Sequence, residues 1–232
     1  MTRVAVVGAT GRLGTPICAG IEAADDLTLV ARVARSLEGG EYGASGSLEA
    51  ALATTQVDVV LEVSGPDCVE DSVRTALGHG IPVVAGATGP DDATWTALGD
   101  LAAERGLPLF QVPNFAIGAV LMLQFAQAAV AHMPDAAIIE EHHATKADRP
   151  SGTARLTADL IERAGAPRPE ISSVRLPGLV AHQSVILGAL GQTLTIRHDT
   201  TSREAFVPGA LLAIRRVREL PAGRTVGLDA VL

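Results

Sequence analysis

The residues best suited to chemistry fall together between Glu140 and Ala154, in the run Glu-Glu-His-His-Ala-Thr-Lys-Ala-Asp-Arg-Pro-Ser-Gly-Thr-Ala. Two imidazoles, His142 and His143, and one ammonium, Lys146, stand just before a Pro-Ser-Gly-Thr turn. Upstream, the apolar run Ala136-Ala137-Ile138-Ile139 predicts a short buried strand. Downstream, Leu156, Leu160, Ile161 and Ala164 recur at helical spacing. Ser151, Gly152 and Thr153 therefore sit at a helix start, whose unpaired N–H groups and partial positive charge hold a carboxylate or phosphate. Such a package suits a small anionic substrate that must receive a proton. Pro150 and Ser151 are equally ordinary helix-start chemistry, a first-turn proline and a cap. No metal is expected. Neighbouring histidines on a strand point to opposite faces, and Cys18 and Cys68 do not form a pair at ligand spacing.

The pattern Glu-x-His-His-x-x-Lys-x-Asp-x-Pro-Ser-Gly-Thr-Ala resembles the signature of the 4-hydroxy-tetrahydrodipicolinate reductase family, long called dihydrodipicolinate reductases, enzymes of the diaminopimelate route to lysine. The remaining elements have to position this segment and bring it a reductant.

Arg3 to Val7 is a β-branched apolar run, the form of a parallel strand covered on both faces. It ends in Gly8-Ala9-Thr10-Gly11-Arg12-Leu13-Gly14, after which Leu13, Ile17 and Ile21 recur at helical spacing. Strand, glycine turn and helix give the context of a dinucleotide fingerprint, with a pyrophosphate at the helix start. A second strand, Leu27 to Val33, ends where such folds choose their cofactor. An acid there would accept the ribose of NAD, but Ala34, Arg35 and Ser36 occupy the place. A guanidinium and a hydroxyl hold a 2′-phosphate, so NADPH is expected in preference to NADH, with NADH possible; the alternative for Arg35 is a solvated surface charge.

Further strands are expected at 57–63, 81–85 and 107–112, with helices at about 67–79 and 91–105. Gly86-Ala87-Thr88-Gly89 resembles the family's Gly-Thr-Thr-Gly, with one hydroxyl deleted at Ala87, and Glu62-Val63-Ser64 stands where the family has Asp-Phe-Thr. Pro113-Asn114-Phe115-Ala116-Ile117-Gly118 resembles the family's Pro-Asn-Phe-Ser-Ile-Gly loop, at the strand end where doubly wound sheets place ligands. A long helix follows from Phe115 or Ile117 to His132, then strands at 180–187 and 192–198, a helix at 209–219 and a strand at 225–231. The stretch from Gly165 to Ser173 reads as a short link, where family members carry a longer loop. His182, His198, Asp199 and Arg203 read as members of strand and interface polar networks.

The fold class expected is α/β: a Rossmann-like doubly wound parallel sheet, plus an α+β substrate and oligomerisation domain with an open mixed sheet. Residues 1–116 and 208–232 would form the dinucleotide-binding domain and residues 117–207 the second. The chain has 232 residues, with 47% hydrophobic and 19% charged, a globular composition. A net charge of −8 with one Trp, one Tyr and four Phe disfavours nucleic acid as a partner. The apolar stretch 115–133 is broken by Gln124, Gln127 and His132, so no membrane partner is expected, and the first strand is too interrupted by glycine for a signal peptide. Two cysteines without a disulfide framework fit a reducing cytoplasm.

The resemblance supplies roles. It implies that His142 and Lys146 handle the proton, and that His143, Ser151, Gly152 and Thr153 bind a dicarboxylate substrate. The cofactor would be held by Gly8, Ala9, Thr10, Gly11, Arg12, Leu13, Ala34, Arg35, Gly86, Ala87, Thr88, Pro113, Asn114 and Phe115. Arg149, where the family has Ala, adds a cation that would tighten dicarboxylate binding or lower the proton affinity of His142. A homo-oligomer, a tetramer, is implied as well. The alternatives are a related Rossmann reductase of another small imino- or amino-dicarboxylate, and a catalytically weak NADP-binding sensor.

Overall fold

The computed structural model describes residues 1–36, 46–87 and 89–232. Thr88, one of the expected cofactor contacts, lies outside them. The chain order is β1 (Thr2–Val7), α1 (Gly14–Glu22), β2 (Leu27–Val33), α2 (Leu48–Thr54), β3 (Val59–Glu62), α3 (Val69–Gly78), β4 (Val83–Ala85), α4 (Asp92–Glu104) and β5 (Pro108–Gln111), followed by α5 (Ile117–Val130), β6 (Asp135–His142), α6 (Gly152–Arg163), β7 (Glu170–Arg175), β8 (Ala181–Ala189) and β9 (Gln192–Thr200). After a 3₁₀ turn at Arg203–Phe206 come α7 (Val207–Arg216) and β10 (Gly223–Val226), with 3₁₀ turns at Val217–Glu219 and Leu228–Val231. These form two compact units: Met1–Phe115 with Phe206–Leu232, and Ala116–Ala205.

The first unit is a Rossmann-like sheet of six strands in the order β10-β5-β4-β3-β1-β2, parallel throughout. Its central strands are buried on both faces, as the β-branched runs require. Ala5, Val7, Val60, Val83 and Ala85 form one core with Val69, Val73, Trp95 and Leu98 of the helices α3 and α4. Asp91 caps α4, its carboxylate accepting the Thr94 N–H at 2.8 Å.

In the second unit the sheet order is β7-β6-β8-β9, with β7 parallel to β6 and the other pairs antiparallel. One face carries Ile138, Val185 and Leu187, packed against Met122, Ala126 and Val130 of α5 and Ala154, Ala158 and Ile161 of α6. Among the described residues no helix is long and apolar enough to cross a membrane.

Several expectations need correction. The supposed link between Gly165 and Ser173 runs into strand β7 at Glu170, and β7 pairs with β6 from Ala137↔Glu170 to His142↔Arg175. Its sequence, Glu-Ile-Ser-Ser-Val-Arg, has only two apolar residues because it is an edge strand with little to bury. Strand β6 runs from Asp135 to His142 rather than stopping at Ile139, and only Ile138 and Glu140 within it are buried. The buried face of α6 is Ala154, Thr157, Ala158 and Ile161, so Leu156 is exposed. Helix α2, capped by Ser47, was not foreseen. The final strand stops at Val226, because Gly227 takes φ +94° and the chain turns into a 3₁₀ segment.

Candidate active site

Strand β6 alternates its side chains between faces, so Glu140 and His142 project together while Glu141 points away. Glu140 is fully buried, and its Oε2 lies 2.5 Å from Nδ1 of His142. Arg175, the register partner of His142 on β7, donates to both Glu140 oxygens, from Nη1 at 2.9 Å and from Nη2 at 2.8 Å. Burial alone would raise the pKa of Glu140, but the donors of Arg175, Ser173 and His142 together outweigh it and hold the carboxyl below its ordinary value. Glu140 is thus an anion, and an anion only accepts, so the His142 Nδ1 carries the proton between them. That leaves Nε2 as the nitrogen available to a substrate. Burial pushes the His142 pKa below the ordinary histidine value; Glu140 pulls the other way, and the charges of Lys146 and Arg175 add to the fall.

The loop after β6 brings in the remaining groups. His143 turns its Nδ1 to the Thr145 hydroxyl at 2.8 Å, and Lys146 pairs with Asp148 at 2.7 Å. The Lys146 ammonium accordingly lowers the Asp148 pKa. At the head of α6, the Ser151 hydroxyl is buried and accepts the Ala154 N–H at 3.2 Å, so this oxygen is occupied in capping the helix. The N–H groups of Gly152 and Thr153 belong to the same first turn, which has no intrahelical carbonyls to bond. Gly152 is exposed and Thr153 half-buried, so these two amides are the ones placed to receive a carboxylate.

A cleft of about 780 Å³ opens in the first unit, lined by Gly8, Thr10, Gly11, Arg12 and Leu13 of the glycine turn, by Ala34, Arg35 and Ser36 beyond β2, and by Gly86 and Ala87 beyond β4. The turn needs its glycines. Gly8 takes φ +87°, and a Cβ on Gly14 would fall 2.1 Å from the Gly8 carbonyl oxygen. Arg12, Arg35 and Ser36 are exposed residues of this lining, and Ser36 Oγ meets Thr10 Oγ1 at 3.1 Å. The Glu49 carboxylate, which also lines the cleft, is engaged by His79 at 3.0 Å. Ala9 is buried beneath the turn, and Phe115 is 2% exposed, its ring so close over Gly86 that a Cβ there would lie 2.2 Å from it. Pro113 is exposed and Asn114 half-buried in the segment after β5. Most sequence-derived residues therefore gather in two groups: the glycine turn, 34–36 and 86–87 around the cleft, and His142, His143, Lys146 and 151–153 in the second unit; Pro113, Asn114 and Phe115 are not among the residues that line the cleft.

Comparison with known proteins decides the family. Profiles described as "Dihydrodipicolinate reductase, N-terminus" and "Dihydrodipicolinate reductase, C-terminus" match residues 2–115 and 118–232. The chain belongs to the dihydrodipicolinate reductase family. Relatives named 4-hydroxy-tetrahydrodipicolinate reductase include that of Mycolicibacterium vanbaalenii, 41% identical across 99% of this chain and 98% of the relative, and that of Nocardia farcinica, 42% identical across 99% and 98%. Among solved structures, a dipicolinate-bound dihydrodipicolinate reductase from Paenisporosarcina sp. TG-14 superposes with a TM-score of 0.88 at 34% identity, covering 100% of both chains. As a dihydrodipicolinate reductase family member, the chain is an oxidoreductase with a nucleotide-binding first half.

Two residues of the site escaped the sequence reading. Glu140 was visible only as a motif position, and Arg175 lies just past the stretch 165–173 that reads as a link, in a segment to which the sequence assigns no role. The period-two spacing of Glu140 and His142 was the available signal for the first. For Arg175, which meets Glu140 across 35 positions, the sequence held none.

Proposed function

We propose that this chain catalyses the reduction of 4-hydroxy-tetrahydrodipicolinate to tetrahydrodipicolinate, with NADPH preferred over NADH, in the diaminopimelate route to lysine. The observation that carries the reading is the buried Glu140 anion behind His142, beside Lys146 and the open amides of Gly152 and Thr153. This is a proton donor, a cation and an anion seat within one loop and one helix start. It fits a ring that carries carboxylates and loses water before its double bond is reduced. The dipicolinate in the Paenisporosarcina structure is likewise a ring that carries two carboxylates.

The first unit fits a dinucleotide: its glycine turn leaves no room for a Cβ at Gly14, and the cleft above it runs to Arg35 and Ser36. Gly8 to Leu13 would hold the pyrophosphate, and Gly86 and Ala87 line the cleft at the end of β4. When bound, the cofactor supplies the hydride. The protein's part is to seat one substrate carboxylate on the Gly152 and Thr153 amides, orient the ring with His143, and deliver the proton that balances the hydride from His142 Nε2, with the Lys146 ammonium as the neighbouring source. Free Cys18 and Cys68 fit a cytoplasmic setting, and a homotetramer fits the family resemblance.

The cofactor preference is testable at Arg35. Arg35→Ala should weaken NADPH by about tenfold or more, the worth of one charge-assisted bond to a phosphate, and leave NADH unchanged. Binding titrations with both nucleotides read it; equal loss for the two sinks the 2′-phosphate assignment. Lys146→Ala removes a partly exposed ion pair with Asp148, worth about 1 kcal/mol at most, so its melting temperature should move by less than about 4 °C while turnover falls. A larger drop in melting temperature would make Lys146 a structural residue instead.

The reading as a whole is tested by NADPH oxidation, followed at the nicotinamide band, with substrate generated in place from pyruvate and aspartate semialdehyde by the preceding synthase. Synthase-dependent oxidation is expected. NADPH binding without oxidation would point to another imine dicarboxylate or to a nucleotide sensor.

A further inference from the structure

We infer that Glu140 and Arg175 are positioning residues of this reaction: one buried carboxylate–guanidinium pair fixes the tautomer and aim of His142 and, through the same guanidinium, the loop that carries Lys146. The inference rests on the reductase reading above. Its physical basis is a count of donors. The Arg175 guanidinium has five N–H groups. Two go to the Glu140 oxygens, one from Nη1 and one from Nη2. The second Nη1 N–H goes to Val174 O at 2.7 Å, and the second on Nη2 to Asp148 O at 2.7 Å. The Nε N–H reaches Lys146 O at 3.3 Å. All five are engaged, on a side chain only 2% exposed.

Two of those acceptors are backbone carbonyls on either side of the Lys146–Asp148 stretch, and two belong to the carboxylate that holds His142. The proton-handling imidazole on β6 and the ammonium in the following loop are thereby referred to one rigid fork. A lysine at 175 has three donors at a point and could not span these acceptors. Nor is stability a sufficient reason for the pair. A buried ion pair is often no better for the fold than apolar residues of the same volume, because desolvation of both charges offsets their attraction. What an apolar pair could not do is accept the His142 Nδ1 proton, which sets Nε2 toward the substrate, and stabilise the imidazolium when it forms. The charged groups around His142 are then Glu140 on its own strand, Arg175 on β7 and Lys146 in the loop.

The test uses the full chain and two variants, Glu140→Gln and Arg175→Lys, with two readouts. The first needs no substrate: nitrogen chemical shifts of the His142 ring across pH. The wild type should show Nδ1–H with a bare Nε2. Glu140→Gln should lose that tautomer bias and titrate at lower pH, since the carboxylate that favours the cation is gone. The second is turnover. Arg175→Lys should keep NADPH affinity and lose about 100-fold in turnover number, the scale of a misplaced catalytic group.

An unchanged His142 tautomer and titration midpoint in Glu140→Gln overturns the inference, as does full turnover in Arg175→Lys. If Glu140→Gln does not fold, the wild-type tautomer decides, and an Nε2–H form overturns it. A wild type that shows the expected tautomer yet does not turn over the imine dicarboxylate refutes the proposed function, and the role in this reaction falls with it, while the hold of the pair on the His142 ring stands.

Discussion

His142→Gln should lower the turnover number by about 1000-fold, within the range that a positioned general acid contributes, and leave NADPH affinity as it is in the wild type. Glutamine preserves much of the volume and can still donate to the Glu140 carboxylate, so the buried anion keeps a partner and the second unit should remain folded. What it cannot do is transfer a proton. The residues lining the nucleotide cleft all belong to the first unit, and His142 belongs to the second. Turnover and cofactor binding should therefore separate cleanly. Equal loss of both would refute the assignment of His142 as the donor. The wild-type profile carries a further signature. Burial lowers the His142 pKa, so the protonated ring disappears at a pH below that of an ordinary histidine. The limb of turnover that depends on an acid should fall correspondingly early as pH rises, and this limb should be missing from the residual activity of His142→Gln.

Much of this site was legible because it is local. The helix-start chemistry of 151–153 lies within one turn, and Ser151 does cap α6 as its residue type suggests. The glycine turn after β1 was equally legible, since a β-branched run followed by Gly8, Gly11 and Gly14 constrains both backbone and sterics. The missing part is long-range. Strand β7 carries too few apolar residues to announce itself, because an edge strand is held by ladder hydrogen bonds, which any sequence can make, more than by burial. With β7 unseen, Arg175 had no address, and nothing local marked Glu140, the first residue of the motif, as the fully buried anion it is. Leu156 erred in the opposite direction. Helical periodicity admits more than one face, and tertiary packing chose Ala154, Ala158 and Ile161, which share one core with Ile138, Val185 and Leu187 of the sheet. Glu62 shows a third kind of failure. Its strand was expected, yet nothing in the run Val59-Val60-Leu61-Glu62 says whether the final carboxyl faces water or core.

Glu62→Gln should make the protein more stable by roughly 3 kcal/mol at pH 8 and by less than about 1 kcal/mol at pH 5. Glu62 is fully buried at the end of β3, in register with Val7 of β1 and Ala85 of β4, so its side chain shares their apolar side of the sheet. One oxygen accepts from the Ser64 hydroxyl and backbone N–H, while Oε2 is buried with no hydrogen-bond partner among the described residues. Burial pushes the carboxyl up to about 7 from an ordinary 4.5, and the Ser64 donors only partly oppose it. The sign follows directly. Between pH 4.5 and 7 the folded chain keeps a proton on Glu62 that the unfolded chain has released. The folded state thus binds more protons, stability falls as pH rises through this window, and the loss is complete once the buried carboxyl ionises. Glutamine never ionises. It retains an oxygen to accept from Ser64, so the variant escapes the loss without surrendering the hydrogen bond. Chemical denaturation of both proteins at a series of pH values between 5 and 8 measures the difference. The two stability curves should lie within about 1 kcal/mol of each other at pH 5 and diverge as pH rises toward 7. Curves that run parallel would show that Glu62 is ionised in the folded state and that some group near Oε2 satisfies it, and Ser64, at the edge of the nucleotide cleft, would then be held by an anion.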